Sequence, residues 1–493
     1  MKSAFLIAAP TSGSGKTTLA RGLMALFTQQ GLRVQPFKCG PDYIDTKFHE
    51  AVCHRPSINL DTFMASEDHI RELFCRYTQG GDEAPEWARE PADIAVVEGM
   101  MGLFDGYERD RGSCAEIARV LDLPIVLVVD ARSAAYSMAA LLQGFTRFRA
   151  DLRFAGVIFN KVGSPRHAAM LRDVAAEGGI ACLGCIPKQT ALEQGSRYLG
   201  LDFSESLSAG TLVEVLSQSI DTNRLQEICN RSQSPARPVV KASTTGRAGR
   251  CDRSSFSAPA NMPDTSARRI LVARNAESFS FIYQETLDLL HSLGEVEFFD
   301  PEGDPPPALP IREGAECNRQ DEGLQPAKET TPSFLERSGG GSLLYLPGGY
   351  PEKHLDALVR AEGMRRFIRE FAEAGGRIIA ECGGMMYLCR SIVTDDGEYP
   401  MCGVLPYSIS SRRADRHLSL GYRRLELEGH ELRGHEFHYT QFLPPVPPSY
   451  AQVYNAAGEP VPTPILRQGN VLASYTHLAP EGFRLMLDLL FRG

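Results

Sequence analysis

Short apolar runs alternate with amphipathic stretches along roughly the first 220 residues, the pattern of a parallel sheet covered by helices. Ala4–Ala9, Arg33–Phe37, Ile94–Glu98, Ile125–Asp130, Ala155–Asn160 and Ala181–Ile186 read as strands. These runs show almost no polar alternation, as expected of strands buried on both faces. Thr17–Gln30 has apolar residues at helical spacing and predicts a helix. The pattern restarts near residue 269, with strand Arg269–Ala273, helix Phe281–Leu293 and strands Ser342–Leu346, Arg377–Ala380 and Val471–Thr476.

Between these blocks the composition changes. Ser232–Arg268 is rich in Ser, Thr, Pro, Gly and Arg and offers too little apolar surface to offset its ordering entropy. Pro301–Gly341 is dense in Pro, Gly and Glu. The expected organisation is an α/β domain over 1–225, a flexible linker over 226–268, and a second α/β domain over 269–493 with an insertion at about 301–341. A further Pro-rich stretch, Pro444–Pro464, contains an expected hairpin around Ala457-Gly458.

The length of 493 residues allows two to four domains at about 150 residues each. A net charge of −9 with no basic block argues against a nucleic-acid partner. No apolar run approaches the roughly 18 residues that span a bilayer. Met1–Pro10 runs straight into a Gly-rich turn and reads as a buried strand rather than a secretory leader. Twelve scattered cysteines suggest no disulfide framework, and a cytoplasmic setting is expected. The one CxxC, Cys182 to Cys185, has no second pair or histidine cluster and reads as a buried structural pair.

The first strand ends in Pro10-Thr11-Ser12-Gly13-Ser14-Gly15-Lys16-Thr17-Thr18. In such a turn the backbone N–H groups face phosphate oxygens, and the helix N-terminus adds a positive dipole. Gly13, Ser14, Gly15, Lys16, Thr17 and Thr18 are the expected ATP-binding residues, with Lys16 on the β/γ-phosphates and the Thr17 hydroxyl on Mg²⁺. Pro10 stands where the strict phosphate-loop pattern has glycine, a departure resembling the dethiobiotin-synthetase-like branch. Glu98, Asp42, Asp45 and Asp130 lie at or just beyond strand ends, where ligand sites of parallel sheets form. Asn160-Lys161 ends another strand, where a related fold contacts adenine.

In the second half, Arg377–Ala380 runs into Glu381-Cys382-Gly383-Gly384, followed by a helical stretch. A nucleophile on a sharp strand-to-helix turn needs such small neighbours. The helix N-terminus is expected to lower the Cys382 thiol pKa. Upstream, Gly348 and Gly349 could present N–H donors to an oxyanion, and His477, at a strand end, is the candidate base. Many class I glutamine amidotransferases carry Glu two residues after this histidine, but Ala479 stands there. Glu481 and Glu436 are alternatives for the third member. His435-Glu436-Phe437-His438 lacks HExxH spacing and reads as a strand, not a metal site.

Taken together, FKCGPDYID at 37–45, VEGMMGLFDG at 97–106, NKVGS at 160–164, PGGYP at 347–351, ECGGMM at 381–386, GYR at 421–423, GHEFHYT at 434–440 and ASYTHL at 473–478 resemble the cobyrinic acid a,c-diamide synthase family. The resemblance implies a phosphate-loop synthetase domain followed by a glutamine amidotransferase domain. It implies ATP-dependent amidation of the a- and c-carboxylates of a tetrapyrrole, through acyl phosphates, with ammonia from glutamine. ATP and glutamine would be co-substrates and Mg²⁺ the metal. The resemblance puts Asp42, Asp45 and Asp105 at catalytic positions, Tyr43 at a substrate position, Glu98 and Asp45 with Thr17 on Mg²⁺, and Asn160 at the nucleotide. Cys382 would form the glutamyl thioester with His477 as base and acid. A family motif ending R-H-L-G-L is here Arg197-Tyr198-Leu199-Gly200-Leu201, with Tyr198 in place of His. Cobyrinate is the first expectation, with hydrogenobyrinate and nickel-sirohydrochlorin as alternatives, and a homodimer is left open. A nucleotide-switched partitioning or scaffold ATPase is the reading of another class, but Thr11 stands where those proteins carry a second lysine, and they have no use for a Cys–His pair.

Overall fold

A computed structural model describes residues 3–82, 84–188, 209–230, 269–303, 305–307 and 342–492. The chain divides into two compact units, Met1–Phe256 and Ser257–Gly493.

The first unit runs β1 (Ser3–Ala8), α1 (Lys16–Gln29), β2 (Val34–Cys39), α2 (Ile44–Cys53), β3 (Ile58–Leu60), α3 (Glu67–Gln79) and β4 (Ile94–Glu98). It continues with α4 (Cys114–Val120), β5 (Ile125–Asp130), α5 (Met138–Arg147), β6 (Phe154–Val162), α6 (Pro165–Glu177), β7 (Cys182–Pro187), α7 (Ala209–Ser219) and α8 (Thr222–Ile228). The strands form one sheet in the order β3-β2-β4-β1-β5-β6-β7, and every pairing is parallel. Alternate residues of β1 enter opposite cores. Ala4, Leu6 and Ala8 join one, and Phe5 and Ile7 join the other beneath α1. This two-sided burial is why the strands read as unbroken apolar runs.

The expected linker starts too early. Residues 226–228 complete α8, Ala4 N donates to Cys229 O at 3.4 Å, and Asn230 bridges to Ser3. The apolar residues Leu225 and Cys229 tie this segment to the core under α1, which the Ser/Pro-based boundary overlooked. Residues 231–268, most of the 301–341 insertion and the Tyr198 motif lie outside the described residues.

The second unit runs β8 (Arg269–Ala273), α9 (Gln284–Leu293), β9 (Glu295–Phe299), β10 (Leu343–Leu346), α10 (Leu355–Arg360), α11 (Glu362–Glu373), β11 (Arg377–Glu381) and α12 (Gly383–Leu388). Short strands follow: β12 (Ser391–Val393), β13 (Glu398–Pro400), β14 (Ser408–Ser410), β15 (Ser419–Leu427), β16 (His430–His438), β17 (Gln441–Phe442) and β18 (Gln452–Asn455). Last come β19 (Ile465–Gln468), β20 (Val471–Ser474), β21 (His477–Leu478) and α13 (Pro480–Arg492). The main sheet has the order β19-β20-β11-β10-β8-β9, and a second sheet the order β18-β15-β16-β21. The helix expected from Phe281 begins at Gln284, because Ser280 N and Phe281 N donate instead to Gly348 O at 2.9 and 3.0 Å. The expected turn at Ala457-Gly458 is present, with Asn455 N donating to Glu459 O at 2.8 Å. His435–His438 lies in β16, as its alternating pattern implies.

Candidate functional sites

In the first unit, the loop after β1 delivers the chain into α1 with Gly15 as N-cap at φ 95°, and no side chain caps the helix. Its first N–H groups therefore remain available to an anion. Gly13 is also left-handed, at φ 77°. A side chain at Gly15 would overlap the Asn160 amide. Asn160 Nδ2 donates to Ser14 O at 3.0 Å and its Oδ1 accepts from Lys161 N at 2.9 Å. Asn160 thus buttresses the loop through Nδ2, while its Oδ1 is held by its own strand. Lys161 Nζ donates to Asp130 Oδ2 at 3.0 Å and to Gly13 O at 3.3 Å, so Asp130 supports the loop through Lys161.

Parallel register brings the remaining groups to the same edge, because Glu98 is level with Ile7 of β1 and Lys38 of β2. Thr17 Oγ1 donates to Glu98 Oε1 at 2.6 Å and lies 3.4 Å from Asp45 Oδ2. Lys38 Nζ reaches Asp45 at 2.7 Å and Glu98 at 2.9 Å. His49 Nε2 sits 2.6 Å from Glu98 Oε2, and its Nδ1 3.0 Å from Ser57 Oγ. Burial works against the Glu98 carboxylate, but Lys38 and the hydrogen bonds from His49 and Thr17 hold its pKa well below the usual range. Asp45, buried and facing Glu98, is raised to about 6. Lys16 is buried, which lowers its pKa, and Nζ donates to Met101 O at 2.5 Å.

Asp42 has a structural task. Its Oδ1 accepts from Ile44 N at 2.8 Å and Asp45 N at 2.9 Å, capping α2. It thereby aims Asp45 at the site. Tyr43 is buried at the head of α2. Asp105 Oδ2 accepts from Gly102 N at 3.0 Å, and a Cβ at Gly102 would stand 2.7 Å from Pro10 O, so this turn packs against the phosphate loop. Thr18 lies in the first turn of α1. Lys38 and His49 escaped the sequence reading. Lys38 lies within a quoted motif, but only register shows which carboxylates it meets.

The second unit gathers its groups at the C-terminal ends of three neighbouring parallel strands, β10, β11 and β20. Cys382 follows β11 with φ 47°, and its N–H donates to Ser474 O at 2.7 Å. This strained turn explains the glycines after it, since a Cβ at Gly384 would overlap Leu346 O. The three predicted groups meet at Gly348. A Cβ placed there would overlap His477 Cε1, stand 3.1 Å from His477 Nε2 and lie 3.2 Å from Cys382 Cβ. Gly349 follows at φ 154°, where a Cβ would overlap Ser278 O.

The electrostatics of this site correct one expectation. Burial, followed by the charge of Glu352, pushes the Cys382 thiol pKa up rather than down. The helix behind it spans only Gly383–Leu388, too weak a dipole to compensate. His477 is 1% exposed, and burial, with His435 adding to it, lowers its pKa to about 3. Both groups are therefore neutral in this state, with Cys382 Sγ 3.8 Å from Phe437 O. Glu352, just beyond the PGGYP turn, has a buried Oε2 without a hydrogen-bond partner, and burial raises its carboxyl to about 7.

Neither expected candidate for the third member faces the imidazole as a free acceptor. Glu481 is exposed in the first turn of α13. Glu436 is buried and hydrogen-bonded at both oxygens: Oε2 accepts from Arg423 Nε at 2.9 Å, Ser419 Oγ at 3.0 Å and Thr463 Oγ1 at 3.0 Å, and Oε1 accepts from Thr476 Oγ1 at 2.8 Å, so it acts on His477 only through its charge.

Comparison with known proteins supports both halves. Residues 5–200 match the CobQ/CobB/MinD/ParA nucleotide-binding domain, and residues 325–484 match the CobB/CobQ-like glutamine amidotransferase domain. A hydrogenobyrinate a,c-diamide synthase of Brucella anthropi is 37% identical over 489 residues, covering 96% of this chain and 98% of that protein. A protein of the same name from Mycobacterium tuberculosis is 35% identical over 506 residues, covering 97% of this chain and 95% of its own length.

Proposed function

Since the chain belongs to the family of glutamine-dependent a,c-diamide synthases of cobalamin synthesis, we propose that it amidates the a- and c-carboxylates of hydrogenobyrinate through acyl phosphates. The names of its relatives favour this metal-free macrocycle over cobyrinate, the first expectation from the sequence. The observation that carries the reading is the meeting of Cys382, His477 and Gly348 in a chain that also holds a phosphate loop backed by buried carboxylates.

In this reading the N–H groups at the head of α1 and Lys16 hold the ATP phosphates. Thr17, Asp45 and Glu98 bring three oxygen donors together, with Thr17 Oγ1 2.6 and 3.4 Å from the two carboxylates, a set that suits the hard cation Mg²⁺. Bound there, the ion would draw charge from the phosphates. Lys38 now neutralises the same carboxylates, so it would shift towards the phosphate or the incoming carboxylate as the cation enters. Tyr43 and Asp105 border this edge and are assigned to positioning substrate. The substrate carboxylate attacks the γ-phosphorus and ADP leaves. Ammonia then attacks the acyl carbon and phosphate leaves, giving the amide.

At the thiol site Cys382 Sγ attacks the glutamine side-chain amide while His477 takes its proton and passes it to the departing ammonia. The Gly348 and Gly349 backbone is assigned to the oxyanion. Water, deprotonated by His477, then releases glutamate. The Glu352 carboxylate, whose buried Oε2 has no hydrogen-bond partner, is complementary to the α-ammonium group of glutamine.

The test supplies hydrogenobyrinate, cobyrinate and nickel-sirohydrochlorin side by side with ATP and glutamine and reads products by mass spectrometry. Diamide from hydrogenobyrinate at the highest kcat/KM is expected. Preference for either metallated macrocycle overturns the substrate assignment.

A further inference from the structure

The thiol site carries a carboxylate that the motif did not mark as catalytic. Glu381 is the last residue of β11 and immediately precedes the nucleophile. It is 4% exposed. Its Oε2 lies 3.9 Å from His477 Nδ1 and accepts from the Tyr345 hydroxyl at 2.8 Å. Its Oε1 accepts from Leu478 N at 3.1 Å. One buried side chain thus joins the strand that carries the cysteine to the backbone just after the histidine.

We infer that Glu381 is the positioning residue of the thiol site, orienting His477 through Nδ1 in place of the acid that Ala479 cannot supply. This rests on the reading of Cys382 and His477 as a glutamine-hydrolysing pair. The geometry explains how the chain does without that acid. A carboxylate at Nδ1 favours the tautomer with its proton there, leaving the Nε2 lone pair free for the thiol proton. When His477 becomes imidazolium, the same carboxylate stabilises it. The 3.9 Å separation is wider than a hydrogen bond, so the contact tightens as charge develops on the ring.

The surrounding groups agree. Burial raises the Glu381 carboxyl to about 7, while the bonds from Leu478 N and Tyr345 act to lower it. Facing groups are Tyr345 on β10 and His477 on β21, and the charges of His435, Glu436 and His438 of β16 also act on His477. Cys382 follows directly in the chain. Glu381 should therefore be ionised and competent above about pH 7 and lose that role below it.

The test measures glutamine-dependent and ammonia-dependent amidation by the full-length enzyme and its Glu381→Gln, Glu381→Asp and Cys382→Ala variants across pH 6–9. Glu381→Gln is expected to lower glutamine-supported kcat about tenfold or more, since it impairs a base step worth about 10²–10⁴. KM for glutamine should stay within about twofold, and the limb of kcat near pH 7 should vanish. Glu381→Asp should recover part of kcat and the limb. A merely structural carboxylate would leave the pH profile in place. Unchanged kcat and pH profile in Glu381→Gln, with glutamine use abolished in Cys382→Ala, would overturn this inference alone. Glutamine use surviving in Cys382→Ala would overturn the thiol reading and this inference with it. Should Glu381→Gln not fold, ¹⁵N NMR of histidine-labelled wild type at pH 8 decides. A His477 proton on Nδ1 supports the inference, and a proton on Nε2 refutes it.

Discussion

Adding one methyl group at Gly348 should separate the two half-reactions. The residue is buried, and its φ lies outside the left-handed region, so alanine meets no left-handed-backbone strain there. The obstacle is space. The new Cβ would overlap His477 Cε1 and stand 3.1 Å from Nε2 and 3.2 Å from Cys382 Cβ. The backbone cannot easily retreat, because Gly348 O accepts from Ser280 N at 2.9 Å and Phe281 N at 3.0 Å. The imidazole must therefore move by something on the order of 1 Å, a misplacement that costs about 10²-fold in rate. Overpacking should cost about 1–3 kcal/mol of stability. The assay follows glutamate release from glutamine and, separately, diamide formation from ammonia. Gly348→Ala should lose about 10²-fold in the first while the second persists. Gly363→Ala is the matched control, since its Cβ would meet only Pro306 Cγ at 3.8 Å and alanine in α11 should gain about 0.5–1 kcal/mol. Glutamine hydrolysis by Gly348→Ala within about threefold of wild type would refute the convergence of Cys382, His477 and Gly348 as a reaction centre.

Two further predictions concern buried charge. Glu352 ionises near pH 7, and its raised pKa means the charged form is lost as pH falls through that value. KM for glutamine should rise by up to about tenfold per unit below pH 7, and Glu352→Gln should show a high, pH-independent KM. A Glu352→Gln enzyme with wild-type KM would remove Glu352 from glutamine recognition. Lys38→Met should destabilise the first unit by about 3–5 kcal/mol, because it leaves Glu98 and Asp45 buried with their cation gone. A urea midpoint unchanged from wild type would show that those carboxylates take up protons or water at little cost.

The readable part of the molecule was local. Strands such as Ile94–Glu98 and Ile125–Asp130 appear at the expected residues because burial on both faces leaves an unbroken apolar run. The phosphate loop and the Cys382 turn were legible because each needs a particular backbone conformation, and such a turn writes its glycines into neighbouring positions; His477, with no glycine beside it, was marked only by its place at the end of an apolar run. The reading failed where a property depended on distant chain. The Cys382 thiol was expected to be acidified by its helix, but burial and Glu352 reverse the sign. The Asn160 amide meets Ser14, 146 residues away, a contact that nothing near Asn160 in the chain announces.

The sequence by itself therefore determined the two α/β halves, the glycine-rich loop after the first strand, and Cys382 and His477 as the candidate nucleophile and base. Only the tertiary structure decided which charges those groups meet. Lys38 meets Glu98 across 60 residues, and Glu381 meets Leu478 across 97. A motif records the dihedral angles and close approaches of a few consecutive residues. Charge and proton affinity depend on distance and burial, and in a parallel sheet those are set by strand order and register.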